Sequence, residues 1–301
     1  MAAYLGELAA LTTSACYSGS SVLYTFAGRK LSALVINRIR LILAVLLLVS
    51  VHWVFQGAPF PIKAGLSRWF WLGTSGIIGL AMGDFFLFRA YQSIGPRLSS
   101  LMMSLAPILV TLMAWMFFDE ALGSLSLLGI ALTVGGIAWV ILERPAGQIG
   151  FRVPAERLRG ILFGLGATIS QAVGVILAKE GLVGGFPAVS ANVIRMICAM
   201  TALWVFTLFQ KQARQTYEQA RKQPRAVPLI LGGAILGPFL GVSLSLFSLQ
   251  RADAGVASTL SSLAPIFLLP ISYFIFKERF GWTAILGTMM ALAGVALLFL
   301  V

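Results

Sequence analysis

The 301-residue chain is 59% hydrophobic and only 11% charged, and its mean hydropathy is +0.93. Ordinary soluble domains carry about 25% charged residues, so this composition excludes a water-soluble globular protein. The net charge of +12 comes from Lys and Arg in short connectors between apolar runs rather than from one basic face. We therefore expect membrane lipids, and no nucleic acid, among its partners.

Apolar runs of about 20 residues, the length of a transmembrane helix, recur along the whole chain. We predict an all-α integral membrane protein with ten transmembrane helices. Their predicted bounds are 4–26, 33–55, 69–91, 98–118, 124–142, 158–178, 187–209, 227–249, 256–276 and 282–301. The first run lacks the flanks of a cleaved signal peptide and is expected to remain as a helix.

The chain also contains an internal duplication. A shift of 158 residues aligns SLAPI at 104–108 with SLAPI at 262–266, and 17 of the 64 positions from 79 to 142 are identical to their counterparts. Because five helices is an odd number, a second copy enters the membrane from the opposite side. We predict two inverted five-helix repeats, 1–142 and 158–301, with a cytoplasmic connector at 143–157.

The distribution of basic residues predicts the orientation. Fourteen Lys and Arg residues lie in the connectors that follow odd-numbered helices, and four lie in the opposite connectors. The odd-numbered connectors are therefore predicted to be cytoplasmic. Both termini are then predicted to lie outside a cytoplasmic membrane.

Each repeat carries a helix of small residues and proline, a Glu after an aromatic-rich end, and a Gly-punctuated helix. These segments read SLAPILVTLMAWMFFDEALG in the first repeat and SLAPIFLLPISYFIFKERFG in the second. With Arg40 and Arg195 early in helices 2 and 7, the pattern resembles the EamA-type ten-helix carriers of the drug/metabolite transporter superfamily. The resemblance spans essentially the whole chain. It implies a transporter of amino acids, other metabolites, nucleosides or toxic compounds, although several relatives are thought to keep their termini inside.

Two opposite charges lie at the same depth on neighbouring helices. An unpaired charge in a span costs about 2.5–3.5 kcal/mol, so Arg40 in helix 2 and Asp84 in helix 3 are predicted to pair. The pair is interpreted either as a clamp or gate element, or as part of a substrate or proton site. Arg89, close to the helix end, is expected to snorkel to the interface.

The duplication did not copy this pair. Arg195 is the counterpart of Arg40, but Asp84 aligns with Val242. An unpaired guanidinium is a candidate anchor for a carboxylate or phosphate, and snorkelling or bonding to helix-end carbonyls is the alternative. Asn37 and Asn192, one turn before the arginines, are expected to orient them.

Two prolines occupy equivalent positions in helices 4 and 9. Pro107 and Pro265 each follow a serine, Ser104 and Ser262 respectively. Proline removes an intrahelical hydrogen bond and frees a carbonyl, and symmetric interruptions of this kind point to a central site. Helix packing alone is the alternative interpretation.

Helices 1 and 6 carry polar residues at matching depth. Tyr17 and Gln171 align at a shift of 154 and are candidates for lining a cavity. Nearby Ser and Thr side chains have a second interpretation, as hydrogen-bonding groups that hold helices together.

No enzymatic motif accompanies these residues. The single histidine, His52, and the lone Cys16 and Cys198 predict no catalysis, no cofactor, no metal site and no disulfide.

The leading hypothesis is a secondary carrier that exports a small anionic or zwitterionic metabolite, such as an amino acid, by alternating access. A lipid-component flippase or a non-transporting structural subunit is the alternative. The sequence is compatible with proton coupling through Asp84 and with a uniporter. It is also compatible with either a monomer or a homodimer.

Overall fold

The computed structural model describes residues 4–118, 123–142, 154–252, 254–261, 263–275 and 282–299. Within these ranges all regular secondary structure is helical, which confirms the predicted all-α fold. The candidate Ser262 lies outside the described residues.

The first half contains three irregular features besides its regular helices. The helices are α1 (Leu5–Gly28), α2 (Ala33–Gln56), α3 (Leu66–Gly76), α4 (Gly83–Met103), α5 (Ala106–Phe118) and α6 (Ser124–Leu142). A π-helical turn, Ile77–Met82, joins α3 to α4, and a short 3₁₀ turn, Ile62–Ala64, precedes α3. Gly95 interrupts α4 with φ 80° and ψ 167°, a conformation that favours glycine, and Pro96 restarts the helix. α4 therefore holds the end of predicted helix 3 and the start of predicted helix 4.

The second half has the same arrangement with one addition. Its helices are α7 (Pro154–Leu182), α8 (Ala188–Phe209), α9 (Ala213–Lys222), α10 (Ala226–Ala234), α11 (Val242–Arg251), α12 (Ala254–Ser261), α13 (Ala264–Phe274) and α14 (Trp282–Phe299). A π-helical turn, Ile235–Gly241, joins α10 to α11 and is the repeat counterpart of the turn in the first half. The addition is α9, which lies between predicted helices 7 and 8, where no helix is predicted.

Among the described residues, five stretches are long and apolar enough to cross a membrane, which makes the chain a multi-pass membrane protein. They are Ala33–Gln56, Leu66–Pro96, Ala155–Leu182, Ala188–Phe209 and Ala226–Arg251. Shorter apolar helices are Leu98–Met113, Leu127–Trp139 and Ile285–Leu297. The count of ten spans stays a prediction. α1 has 24 residues, but many of them are Ser, Thr or Gly, and much of the helix is buried among other helices.

The two halves pack by exchanging their first helices. α1 lies mainly against α10, α11, α12 and α13 of the second half, and α7 lies against α3, α4 and α5 of the first. α2 packs on α8, and α6 packs on α14. Equivalent helices thus make equivalent contacts across the centre of the molecule. This arrangement is the pseudo-twofold relation that inverted repeats produce.

The SLAPI motif lies at a helix break in both halves. α4 ends before Ser104 and α5 begins at Ala106, while α12 ends at Ser261 and α13 begins at Ala264. Pro107 and Pro265 are therefore second residues of new helices, where the backbone N–H has no intrahelical partner in any case. The expectation that these prolines themselves remove an internal hydrogen bond is wrong, because the preceding helix has already ended.

Candidate substrate site

The first feature of the central region is a buried ion pair between Arg40 and Asp84. Nη2 of Arg40 donates to Oδ2 of Asp84, and the two side chains are only 6% and 13% exposed. The rings of Tyr24 and Phe88 lie beside the guanidinium, with centroids 5.7 Å and 5.3 Å from Cζ of Arg40. The contact predicted from equal depth is present. Opposite charge and aromatic faces together offset the cost of burying the arginine.

Arg195 on α8 is equally buried but lacks such a partner. It is 4% exposed, and its Nε is a buried donor without an acceptor. Within the described part of the chain, no side chain or carbonyl forms an ion pair or hydrogen bond with this guanidinium. Asp84 and the phenol of Tyr17 are close enough to affect its electrostatics. It neither snorkels to the surface nor bonds a helix-end carbonyl there.

Close helix packing positions Arg195. A Cβ at Gly76 would lie 2.1 Å from the carbonyl oxygen of Arg195, so the backbones of α3 and α8 are in contact at this point. A Cβ at Gly79 would lie 3.5 Å from Nη2 of Arg195. The guanidinium therefore lies against the π-turn of the first half, although it belongs to the second half.

Tyr17 and Ser170, the neighbour of Gln171, lie beside repeat-equivalent glycines. A Cβ at Gly241 would be 2.7 Å from Cε1 of Tyr17, and a Cβ at Gly83 would be 3.2 Å from Cβ of Ser170, the neighbour of Gln171. Tyr17 and Gln171 are half-buried. Tyr17 also interacts with Ser245 of α11 and with Arg195, so it belongs to the same polar cluster as the arginine. Within the described residues, Gln171 makes no comparable contact with the charged side chains.

Asn37 and Asn192 bind the neighbouring helix backbone rather than the arginines. Nδ2 of Asn37 donates to the carbonyl of Ala81 at 3.2 Å, and Nδ2 of Asn192 donates to the carbonyl of Pro238 at 2.9 Å. Both carbonyls belong to the π-turns. A π-turn shifts the backbone hydrogen-bond pattern by one residue, and these amides bond carbonyls within the altered segment.

At both SLAPI helix breaks, a hydroxyl group from the opposite half donates a hydrogen bond to a backbone carbonyl. Oγ1 of Thr168 donates to the carbonyl of Met102 at 3.1 Å, and Oγ of Ser18 donates to the carbonyl of Ala264 at 3.0 Å. Ser104 is fully buried at the break in the first half. The two breaks are therefore hydrogen-bonded to α7 and α1, the two exchanged helices. These helices carry Gln171 and Tyr17, so the serine and proline candidates lie close to the helices of the other two candidates.

Two residues to which the sequence assigns no role make specific contacts. Nη1 and Nη2 of the buried Arg38 donate to Oγ1 of Thr216 at 2.7 Å and to Oε1 of Gln212 at 2.8 Å. The imidazole of His52 bonds the carbonyl of Ala58 at 2.6 Å and Oγ of Ser190 at 3.0 Å. Thr216 lies 178 residues from Arg38, and Ser190 lies 138 residues from His52. No local sequence pattern indicates contacts over such distances along the chain.

The central charges do not cancel. The charges of Arg40 and Asp84 neutralise each other, so Arg195 leaves a net positive charge in this region. The hydroxyl of Tyr17 lies near the guanidinium of Arg195. A guanidinium offers a planar set of N–H donors that matches a carboxylate or phosphate. No cluster of three or more His, Cys, Asp or Glu in the described ranges could hold a metal ion.

The fold and this polar centre define a multi-pass membrane protein of the transporter class. A profile described as the EamA-like transporter family matches twice, at residues 4–142 and 158–300. The chain therefore belongs to the EamA-like transporter family. Members of this family are transporters rather than enzymes.

Several known proteins are similar to this chain. "Uncharacterized transporter sll0355" of Synechocystis is 24% identical over 252 residues, which are 81% of this chain and 75% of the relative. "WAT1-related protein At3g02690, chloroplastic" of Arabidopsis thaliana is 23% identical over 86% of this chain, and the match spans 60% of that relative. "Protein LicB" of Haemophilus influenzae is 32% identical over 47% of each chain.

A solved crystal structure has the same fold. It superposes with a TM-score of 0.63 and covers 98% of this chain and 96% of its own, at 16% sequence identity. At this identity the likeness concerns the fold alone.

Proposed function

We propose that the protein is a secondary carrier that moves a small anionic or zwitterionic metabolite, such as an amino acid, out across the cytoplasmic membrane. The observation that supports this substrate class most directly is the buried guanidinium of Arg195, which has no described partner. A buried charge without a partner is costly, and a bound carboxylate would relieve that cost. Asp84 and Tyr17 in the same cluster could contact the amino group of a zwitterion.

The exchanged packing of α1 and α7 supports alternating access as the mechanism. In inverted repeats each half can adopt the conformation of the other, so a central site opens to one side and then to the other. The helix breaks at SLAPI lie at equivalent places in the two halves and contact the exchanged helices. These breaks are where we place the bending that opens and closes the site.

Flux measurements on protein reconstituted into liposomes test the proposal. The panel contains labelled amino acids, dicarboxylates, nucleoside monophosphates and neutral sugars, and it is applied to the wild type, Arg195→Lys and Arg195→Gln. Arg89→Gln is the matched control, because Arg89 is also a helix arginine but is exposed over the ring of Phe85. A hydrogen bond to a charged group contributes about 1.5–3 kcal/mol, so Arg195→Gln should weaken apparent affinity for acidic solutes roughly 10- to 100-fold.

The outcomes separate the alternatives. Arg195→Lys should retain charge but lose the planar donor set, so its loss should be smaller than that of Arg195→Gln. Equal flux of acidic and neutral solutes in both wild type and Arg195→Gln would contradict the anchor. Translocation of labelled phospholipid headgroups without solute flux would favour a flippase, and folded protein with neither activity would favour a structural subunit.

A further inference from the structure

The exposed side of α9 is strongly basic. Arg214, Tyr217, Arg221 and Lys222 follow one another at helical spacing on one side of this helix, and all four are exposed. We call these four residues the α9 basic face. Lys211 and Arg225 flank it and are exposed as well. Glu218 is the acidic residue on this side, and it is paired with Arg214 at 2.8 Å, which leaves the other basic residues to define the charge of the surface.

The opposite side of α9 is fixed to the membrane domain. Thr216 and Gln212 accept hydrogen bonds from the buried Arg38 of α2, at 2.7 Å and 2.8 Å. Thr216 is itself buried. Because one side is held in this way, the basic face points outward as a consequence of the fold.

The chain enters α9 directly from the lipid-facing end of α8. Leu208 and Phe209 are 62% and 83% exposed, and in a multi-pass membrane protein such side chains lie against lipid. The N–H of Lys211 donates to the carbonyl of Leu208 at 2.9 Å, and the N–H of Gln212 donates to the carbonyl of Thr207 at 3.0 Å. These two bonds form a Schellman turn, which ends α8 and leads into α9. Tyr217, 66% exposed, adds an aromatic residue of the kind enriched at membrane interfaces.

Lys211 adds a further observation. It is the non-glycine residue with positive φ, 56°, in the described part of the chain, at the turn position where glycine is usual. A lysine there accepts backbone strain while keeping a positive charge beside the basic face. Membrane proteins generally carry more Lys and Arg in their cytoplasmic connectors. That general excess does not explain why a lysine occupies this strained turn, or why the basic residues share one face of α9.

We propose that the α9 basic face binds the headgroups of anionic phospholipids in the adjacent leaflet. Clusters of Lys and Arg immediately beside a membrane span attract the headgroups of anionic lipids. This inference depends on the membrane fold and on α9, and it is independent of the substrate proposed above.

The test compares two adjacent basic pairs. Arg221→Gln/Lys222→Gln removes charge from the basic face, while Arg29→Gln/Lys30→Gln removes the same two residue types from another exposed connector on the same predicted side. Purified protein in detergent is titrated with phosphatidylglycerol or phosphatidylcholine, and the shift of the thermal unfolding midpoint reports binding. Amide hydrogen exchange of residues 211–225 is measured in vesicles of phosphatidylcholine alone and of an equal mixture with phosphatidylglycerol.

Wild type should bind phosphatidylglycerol more tightly than phosphatidylcholine, and α9 amides should exchange more slowly in the mixed vesicles. Arg221→Gln/Lys222→Gln should weaken phosphatidylglycerol binding about thirtyfold, since each basic residue near the surface contributes about 1 kcal/mol. Lys211→Gly removes one charge and relieves the strained turn, so it should fold well and still bind more weakly than wild type. Equal losses in the two double variants, or no preference for phosphatidylglycerol over phosphatidylcholine, would overturn the proposal.

Discussion

Asn37 and Asn192 occupy equivalent positions in the two repeats, and each donates its side-chain amide to a carbonyl in the π-turn of the adjacent helix. The bond lengths are 3.2 Å to Ala81 and 2.9 Å to Pro238, and Asn192 makes a second bond of 2.9 Å with Ser243. Each asparagine thus holds the two spans of its own half together at the point where the backbone departs from a regular α-helix.

We expect both asparagines to be required for stability, to different degrees. Replacement by Ala leaves a buried carbonyl without its donor and should lower the free energy of unfolding by about 1–2 kcal/mol. Asn192→Ala should be the more damaging change, because it removes two hydrogen bonds where Asn37→Ala removes one. Thermal unfolding in detergent, with Asn37→Asp and Asn192→Asp for comparison, measures the difference. A larger loss in Asn37→Ala would contradict this order.

Arg40 and Asp84 should be energetically coupled. Removal of one partner leaves a buried charge uncompensated, at a cost of about 3–5 kcal/mol, so Arg40→Gln and Asp84→Asn should each reduce folded yield or transport. The double variant removes both charges and should lose less than the sum of the single changes. Strictly additive losses would mean that the side chains do not interact in the functional protein.

Substitution of two neighbouring glycines should have very different effects. A Cβ at Gly76 would lie 2.1 Å from the backbone oxygen of Arg195, whereas a Cβ at Gly79 would lie 3.5 Å from a flexible guanidinium and from the Cα of Gly174. Gly76→Ala must therefore separate α3 from α8 and should sharply reduce the yield of monodisperse protein. Gly79→Ala should fold like the wild type. Similar yields of the two variants would show that the backbones of α3 and α8 are not in contact at Gly76.

The orientation can be tested with reporters at two positions. A reporter fused after Val301 should be external, and one inserted beside Tyr217 should be cytoplasmic, because fourteen basic residues lie in the odd-numbered connectors and four in the others. Tyr217 lies on α9, outside the five long apolar stretches, so a reporter inserted beside it leaves those stretches uninterrupted. The reverse pattern of reporter activity would overturn the orientation without affecting the helical fold.

Sequence reasoning was sufficient for features that depend on depth in the membrane. The contact between Arg40 and Asp84 follows from two charges at equal distance from the ends of adjacent spans, since a lone charge in a span is costly. The same reasoning indicates that Arg195 lacks a carboxylate from its own repeat. It also places Arg89 near a helix end, where its side chain is exposed.

Features that depend on contacts between distant segments were not predictable in this way. The π-turns have no sequence signal of their own, and the position of the SLAPI breaks depends on hydroxyls of Ser18 and Thr168 in the opposite half. The sequence predicts no helix at α9, because this helix depends partly on Arg38, which lies 174 to 178 residues away along the chain. The side chain of Pro265 and all of Ser262 lie outside the described residues.

The exchange of α1 and α7 between the halves has a consequence for biosynthesis. α1 ends at Gly28, and its main packing partners begin at Ala226, so about 200 residues separate the synthesis of the two surfaces. At roughly 5–20 residues per second, the ribosome needs on the order of 10–40 s to cover that distance. Throughout this interval the serine- and threonine-rich surface of α1 lacks the helices that will enclose it. We therefore expect a membrane insertase or the translocon to shelter the nascent helix until the second half emerges.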